Sequence, residues 1–322
     1  MSKQRFRKAT SLLLAFALGT LGPLTACNKA DENDYESLAP ESSYVTVAPE
    51  TEIQPSYNEI KEVNSLSEIQ PKFSVYTLRG KSYIQIDEAS VIQIARLVMR
   101  DVKEFLIKHG ATNMNLDENG NKLSGPENFY AKWQDEYFTA ARAYSESSFM
   151  IDYVSNVGAA GISQLKEKIV KETLQENFKD VFGVTVDFSD LKITPSQEAV
   201  DKIFYSKDAQ QEAIEAVYNS LLLSTHYTLY LTRNSGPNHK DYYAKYGGYN
   251  ENLRRDFVTF LYANNWNESH NDLISGNFYK LHDDDTYLNN VRNYQMKFGQ
   301  KYEGKDYSSN TVYSQNEAQP GN

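Results

Sequence analysis

The stretch "AYSESSFMIDYVSNVGAAGISQL", residues 143–165, decides how the chain is read. Upstream of it, Phe129, Tyr130, Trp133, Tyr137, Phe138 and Ala141 recur at helical spacing, which predicts a helix over about 127–145. Downstream, Ile162, Leu165, Ile169, Val170 and Leu174 do the same and predict a second helix over about 159–178. Glu146 therefore sits at the C-terminal end of one helix, in a Ser-rich break, where the backbone carbonyls are unpaired and the helix dipole disfavours an ionised carboxylate. Tyr144 and Phe149 beside it add desolvation of the same sign. Both effects push the Glu146 pKa upward, the direction a general acid working near neutral pH requires.

A Gly-x-x-Gly-x-x-Gln run follows, at Gly158, Gly161 and Gln164. The two glycines lack Cβ atoms and allow backbone or a ligand to come close. Gln164 lies one turn after Gly161 and carries both a donor and an acceptor.

Outward from this centre, the prediction is a mostly α protein. "KFSVYTLRGKSYIQID" (72–87) alternates and predicts a small β-hairpin around Arg79-Gly80-Lys81. Ser90 reads as the N-cap of a helix carrying Ile94, Leu97, Val98, Val102, Phe105 and Leu106, which Gly110 stops. A short extended excursion is expected at 184–193, and further helices at about 195–205, 208–232, 250–264 and 284–300. Between them, 234–250 reads as a long aromatic loop.

The ends of the chain have a different composition. Lys3, Arg5, Arg7 and Lys8 precede the apolar run "SLLLAFALGTLG", which is too short to span a bilayer and reads as a secretory signal. It closes on "LTAC", with the chain's single cysteine at Cys27. This junction resembles the lipobox of bacterial lipoproteins, in which the cysteine is acylated and becomes the new N-terminus. One cysteine excludes a disulfide framework and a cysteine-based metal site.

Residues 28–70 hold ten acidic and two basic residues among Pro and Ser, the composition of an extended, disordered tether. The expected organisation is a signal peptide at 1–26, lipidated Cys27 and tether at 27–70, a folded domain at 71–305 and a polar tail at 306–322. Asn28 follows the cysteine. Sorting by resemblance to Gram-negative lipoproteins then implies an outer-membrane anchor facing the periplasm.

The formal net charge is −10, and no basic patch or stripe is visible, so nucleic acid is not an expected partner. His109, His226, His239, His270 and His282 are scattered without metal-ligand spacing, and neither a metal nor a cofactor is expected. Asp117, Asn119 and Asn121 alternate like calcium-loop oxygens. The glycine sits at the fourth position of that run instead of the sixth, and a solvated turn is the better reading. "HDDDTY" (282–287) reads as an acidic helix N-terminus.

The block Glu146-Ser147, then Ser155 nine residues after the Glu, then "GAAGISQL" from Gly158, resembles the soluble lytic transglycosylase family in identity and spacing. That family has the fold of goose-type lysozyme and carries a later Ala-Tyr-Asn motif, whose Tyr lies beside the catalytic carboxylate. "FLYANNWNES" (260–269) aligns with it through Ala263 and Asn265, while Asn264 stands where the family has Tyr. Tyr262 or a loop tyrosine is left to take that place. The resemblance covers about residues 140–267.

It implies that Glu146 is the general acid/base cleaving the bond between N-acetylmuramic acid and N-acetylglucosamine in peptidoglycan glycan strands. It also implies a substrate-binding set of Ser147, Ser155, Gly158, Gly161, Gln164, Tyr249, Tyr262, Asn265 and Trp266. Two alternatives stay open. A muramidase of goose-lysozyme type would hydrolyse the same bond with water and needs a second carboxylate, for which Asp152 and Glu127 are nearest in sequence. A non-catalytic murein-binding lipoprotein would keep the fold alone.

Overall fold

The computed structural model describes residues 60–111, 129–234, 246, 251–263, 275, 276, 278 and 285–304. Two strands, β1 (Phe73–Leu78) and β2 (Lys81–Ile86), form an antiparallel hairpin. Among the described residues the helices that follow are α1 (Glu88–Lys108), α2 (Glu136–Ser147), α3 (Glu167–Phe182), α4 (Gln197–Lys202), α5 (Lys207–Asn234), α6 (Glu251–Ala263) and α7 (Thr286–Glu303). The expected mostly α class with a small hairpin is the observed architecture.

The hairpin turn is two residues long, Arg79 at φ 50° and Gly80 at φ 77°. Positive φ at both positions matches the right-handed twist of the flanking strands. β2 turns Ile84 and Ile86 into the core. Its backbone then grips the chain just after Glu146. Ile86 N–H donates to Phe149 O, Ile151 N–H donates to Ile84 O, and Ile84 N–H donates to the Asp152 carboxylate at 2.9 Å.

α1 begins three residues earlier than expected. Its cap is Asp87, whose carboxylate accepts from the Ser90 N–H and hydroxyl and also from Lys72 N–H, tying the hairpin to the helix. A carboxylate with three donors outcompetes the Ser90 hydroxyl, which becomes one of those donors. Residues 60–70, expected within the tether, pack on α1 instead. Ile60 and Ile69 are buried, and Gln93, Arg96 and Arg100 hold the carbonyls of Lys61, Ile60 and Asn64.

α2 starts at Glu136, well after the expected 127. The Phe129 and Trp133 carbonyls accept from Arg233 of α5 and Gln295 of α7, contacts that hold this stretch in a non-helical path. Asp135 then caps the helix by accepting Phe138 N–H at 2.7 Å. Long-range side chains here override a periodicity that is correct as to burial.

The long helix α5 runs through the middle of the molecule, with α1, α3, α4 and α6 packed on it. Ser220, Ser224, Thr228 and Thr232, spaced by four, make a small, hydroxyl-bearing stripe along one face of α5, all buried. Ser163, Arg142 and Gln134 hydrogen-bond into that stripe. α7 lies along α2, joined by the rings of Tyr144, Phe149, Tyr294 and Phe298, with Tyr144 and Tyr294 centroids 4.2 Å apart.

On the opposite side of α5, His226 is buried against the rings of Phe105, Phe178 and Phe188, with Nδ1 2.9 Å from Leu222 O. Desolvation lowers its pKa from 6.5 to about 4. The unfolded chain therefore binds a proton that the native state refuses. Stability from this group is complete above pH 6.5 and is lost as pH falls toward 4, by up to about 3 kcal/mol. Urea titrations of wild type and His226→Phe between pH 4 and 7 check this: the acid-side loss should be smaller in the variant.

Candidate active site

Glu146 lies in the last turn of α2, 8 % exposed. The helix ends by an abrupt reversal, with Ser148 at φ 51° closing it and Phe149 at φ 63° after it. A left-handed backbone at a buried, bulky Phe costs about 1–2 kcal/mol and is held by its surroundings. Here the Gln85 side chain donates to Ser148 O, Ile86 N–H donates to Phe149 O, and the Phe149 ring packs on α7. The hairpin thus fixes the turn that aims Glu146.

The turn region 154–165 takes the place of the first two helical turns expected from 159. Gly158, Gly161 and Gln164 all have positive φ (78°, 72° and 45°), and helix α3 cannot begin until Glu167. Ala160 and Leu165 exchange two backbone hydrogen bonds, at 3.0 and 3.1 Å. Ser155 Oγ accepts Ala159 N–H and closes the preceding loop. Ser147 is fully buried, its hydroxyl shared between Ala143 O and Ile162 O at 2.8 Å, so the end of α2 is tied to this turn.

Gln164 is also buried, and its amide braces the turn by donating to Gly161 O and Tyr153 O. The close approach that Gly161 permits is protein backbone: a Cβ there would stand 2.5 Å from Ile193 O. Of the expected binding set, Ser147, Gly161, Gln164 and Tyr262 are buried and shape the site from behind, Gly158 is exposed and Ser155 is half-buried at its surface. Tyr249, Asn265 and Trp266 lie outside the described residues, as do Asn264, Glu127, the 117–121 turn and Cys27.

The hydroxyl beside the carboxylate comes from Tyr287, which sequence reading passed over. Its Oη donates to Glu146 Oε1 at 2.6 Å from the first turn of α7. Asp285 caps that turn by accepting Leu288 N–H, consistent with the helix N-terminus expected at "HDDDTY". Tyr262 does not fill this role; its hydroxyl is spent on Ser163 O and Ser224 Oγ. Burial and the Glu146 charge hold the Tyr287 pKa well above its ordinary value, so it remains a donor.

Behind Glu146, one turn back on α2, the buried guanidinium of Arg142 donates to Ser224 Oγ at 2.5 Å and to Thr228 Oγ1, and stacks 4.3 Å above the Tyr262 ring. Nothing in its spacing distinguished Arg142 from a surface arginine except the alanines around it.

Desolvation raises the Glu146 pKa from 4.5 to about 7, and the Tyr287 hydrogen bond and the Arg142 charge restrain the rise. A carboxyl so placed exchanges its proton near neutral pH, as an acid/base catalyst must. Replacing Tyr287 by Phe removes a donor to the carboxylate. The Glu146 pKa should move further up and turnover fall about tenfold, as read from the basic limb and height of a pH–rate profile.

Asp152, the nearest alternative carboxylate in sequence, is half-buried and accepts from the β2 backbone. Among the described residues there is no grouping of three or more His, Cys, Asp or Glu that could hold a metal ion. Comparisons of the chain with protein-family models, with curated proteins and with solved structures found no match.

Proposed function

We propose that this protein is a peptidoglycan lytic transglycosylase with a goose-type lysozyme domain, using Glu146 as its one general acid/base. The observation that carries the reading is the buried Glu146 carboxyl, its pKa pushed up to about 7 by desolvation and its oxygen gripped by the Tyr287 phenol, at the end of a helix whose following backbone is strained. The Glu-Ser, Ser and Gly-x-x-Gly-x-x-Gln spacing around it supports the same assignment.

In this mechanism the protonated Glu146 gives its proton to the glycosidic oxygen between N-acetylmuramic acid and N-acetylglucosamine. The C1–O bond breaks with oxocarbenium character, and the N-acetylglucosamine alcohol leaves. The Glu146 carboxylate then takes the proton of the muramyl C6 hydroxyl as that oxygen bonds to C1. The product carries a 1,6-anhydromuramyl end, and no water is consumed. An attack from within the same sugar has a high effective concentration, so a second carboxylate is dispensable. Most glycosidases need two. Among the described residues, the groups that act on Glu146 are the Tyr287 hydroxyl and the Arg142 charge.

We further propose that Cys27 is the lipid attachment point, with the acidic segment after it spanning from the outer membrane toward the murein layer. Mass spectrometry of purified sacculi treated with the full chain tests the activity. Anhydromuropeptides are the expected products. Reducing muramyl ends would mean a hydrolase, and sacculus binding without products would mean a murein-binding protein.

A further inference from the structure

Arg142 is the second large charge at the site, and its environment is unusual for an arginine. It is 2 % exposed, yet its hydrogen bonds go to two neutral hydroxyls, Ser224 Oγ and Thr228 Oγ1. Among the described residues no carboxylate lies within ion-pair distance of it. Burying a cation without a hydrogen-bonded anion is expensive, by several kcal/mol in general. The rings of Tyr262, at 4.3 Å, and Phe138, at 5.4 Å, supply part of the compensation through their faces. The remaining partner is Glu146, four residues on and on the same face of α2.

We propose that Arg142 is the fixed counter-charge of Glu146, a positioning residue that stabilises the carboxylate left when Glu146 gives up its proton. This rests on the acid/base role proposed for Glu146. The hydroxyl stripe of α5 and the Tyr262 ring of α6 clamp the guanidinium, so it cannot swing forward into a direct ion pair. Such a pair would lock Glu146 in its charged form and disable it as an acid. Held one helical turn away in a low-dielectric interior, the charge acts through space on the carboxylate without forming a hydrogen bond to it.

No other titratable group named on the surrounding elements does this. Tyr287 of α7 is a neutral donor, and Tyr262 of α6 is hydrogen-bonded elsewhere. Asp152 in the turn after α2 is acidic and bound to Ile84 N–H, and His226 of α5 faces away, among Phe105, Phe178 and Phe188.

The test is a carbon-13 NMR titration of glutamate carboxyls in the labelled full chain, with Glu146 assigned by its loss in Glu146→Gln. Arg142→Met should raise the Glu146 midpoint by about one pH unit or more, and Arg142→Lys, which keeps the charge, should hold it within about half a unit of wild type. The basic limb of sacculus digestion should move by the same amounts. An unchanged midpoint in Arg142→Met would overturn the proposal. If that variant does not fold, the lysine variant decides: a rise of a full unit despite the retained charge would overturn it equally. A shifted midpoint in a protein that releases no glycan product would leave Arg142 as the counter-charge and remove the transglycosylase reading instead.

Discussion

Glu146→Gln should lower product release from sacculi by about a thousandfold while making the protein more stable at alkaline pH. The first effect follows from removing the only proton carrier assigned to the reaction, in a substitution that keeps the side chain's shape and leaves Tyr287 an oxygen to donate to. The second follows from linkage. The folded state holds the Glu146 proton up to about pH 7, whereas the unfolded chain releases it near 4.5. Stability from this group is therefore complete below about pH 4.5 and is lost as pH rises through 7, by up to about 3 kcal/mol. Gln cannot ionise and escapes that loss. Denaturant titrations of both proteins at pH 5 and pH 8 should show a gap that is small at the lower pH and large at the higher. His226 works in the opposite direction over an overlapping window, so the wild-type stability between pH 4.5 and 6.5 should be flatter than that of either single variant.

The helices of this fold were legible because burial imposes a period on the sequence, and α1, α5, α6 and α7 lie close to where their apolar spacing puts them. The boundaries of α2 and α3 were not legible, for two different reasons. Before α2, the carbonyls of Phe129 and Trp133 are claimed by Arg233 and Gln295, residues far along the chain that no local window contains. Before α3, Ile162 and Leu165 are buried as a helical pattern would have them, but through a turn whose φ values at Gly161 and Gln164 forbid a helix. The glycine spacing was visible there, and its conformational meaning outranked the apolar period.

The site divides in the same way. Glu146 was legible because its chemistry is local: apolar neighbours, a helix end, and small residues at fixed distances. Tyr287 was not, because 141 residues separate it from the carboxylate it holds and nothing in "HDDDTY" distinguishes a functional ring from a packed one. The expected substitute, Tyr262, is near the site but turned toward α5, where it carries Arg142 on its face. Of the two glycines read as letting backbone or a ligand come close, Gly161 admits the protein's own backbone in the turn below Glu146, while Gly158 has nothing within 4 Å.

That difference makes Gly161→Ala the most damaging small substitution expected outside the catalytic residue itself. Gly161 has φ +72°, where an L-residue loses about 1–2 kcal/mol to its own carbonyl. Its added Cβ would meet Ile193 O at 2.5 Å and Ser220 Oγ at 3.0 Å. Neither neighbour yields easily. Ile193 O is backbone in the segment leading to α4. Ser220 Oγ accepts Ser163 N–H at 3.3 Å from a position on the central helix. Overpacking of this kind adds about 1–3 kcal/mol, so the total loss should reach about 3–4 kcal/mol. Gly158→Ala is the internal control. Its φ is nearly the same, +78°, but a Cβ there meets nothing within 4 Å, and the loss should stay near the backbone strain of about 1–2 kcal/mol. Thermal and urea unfolding of the two variants separates strain from contact. Equal losses would show that Gly161 is required only for its φ. A loss at least 1 kcal/mol greater at 161 would establish that the turn beneath Glu146 is seated against Ile193 and Ser220, and that α5 sets its height.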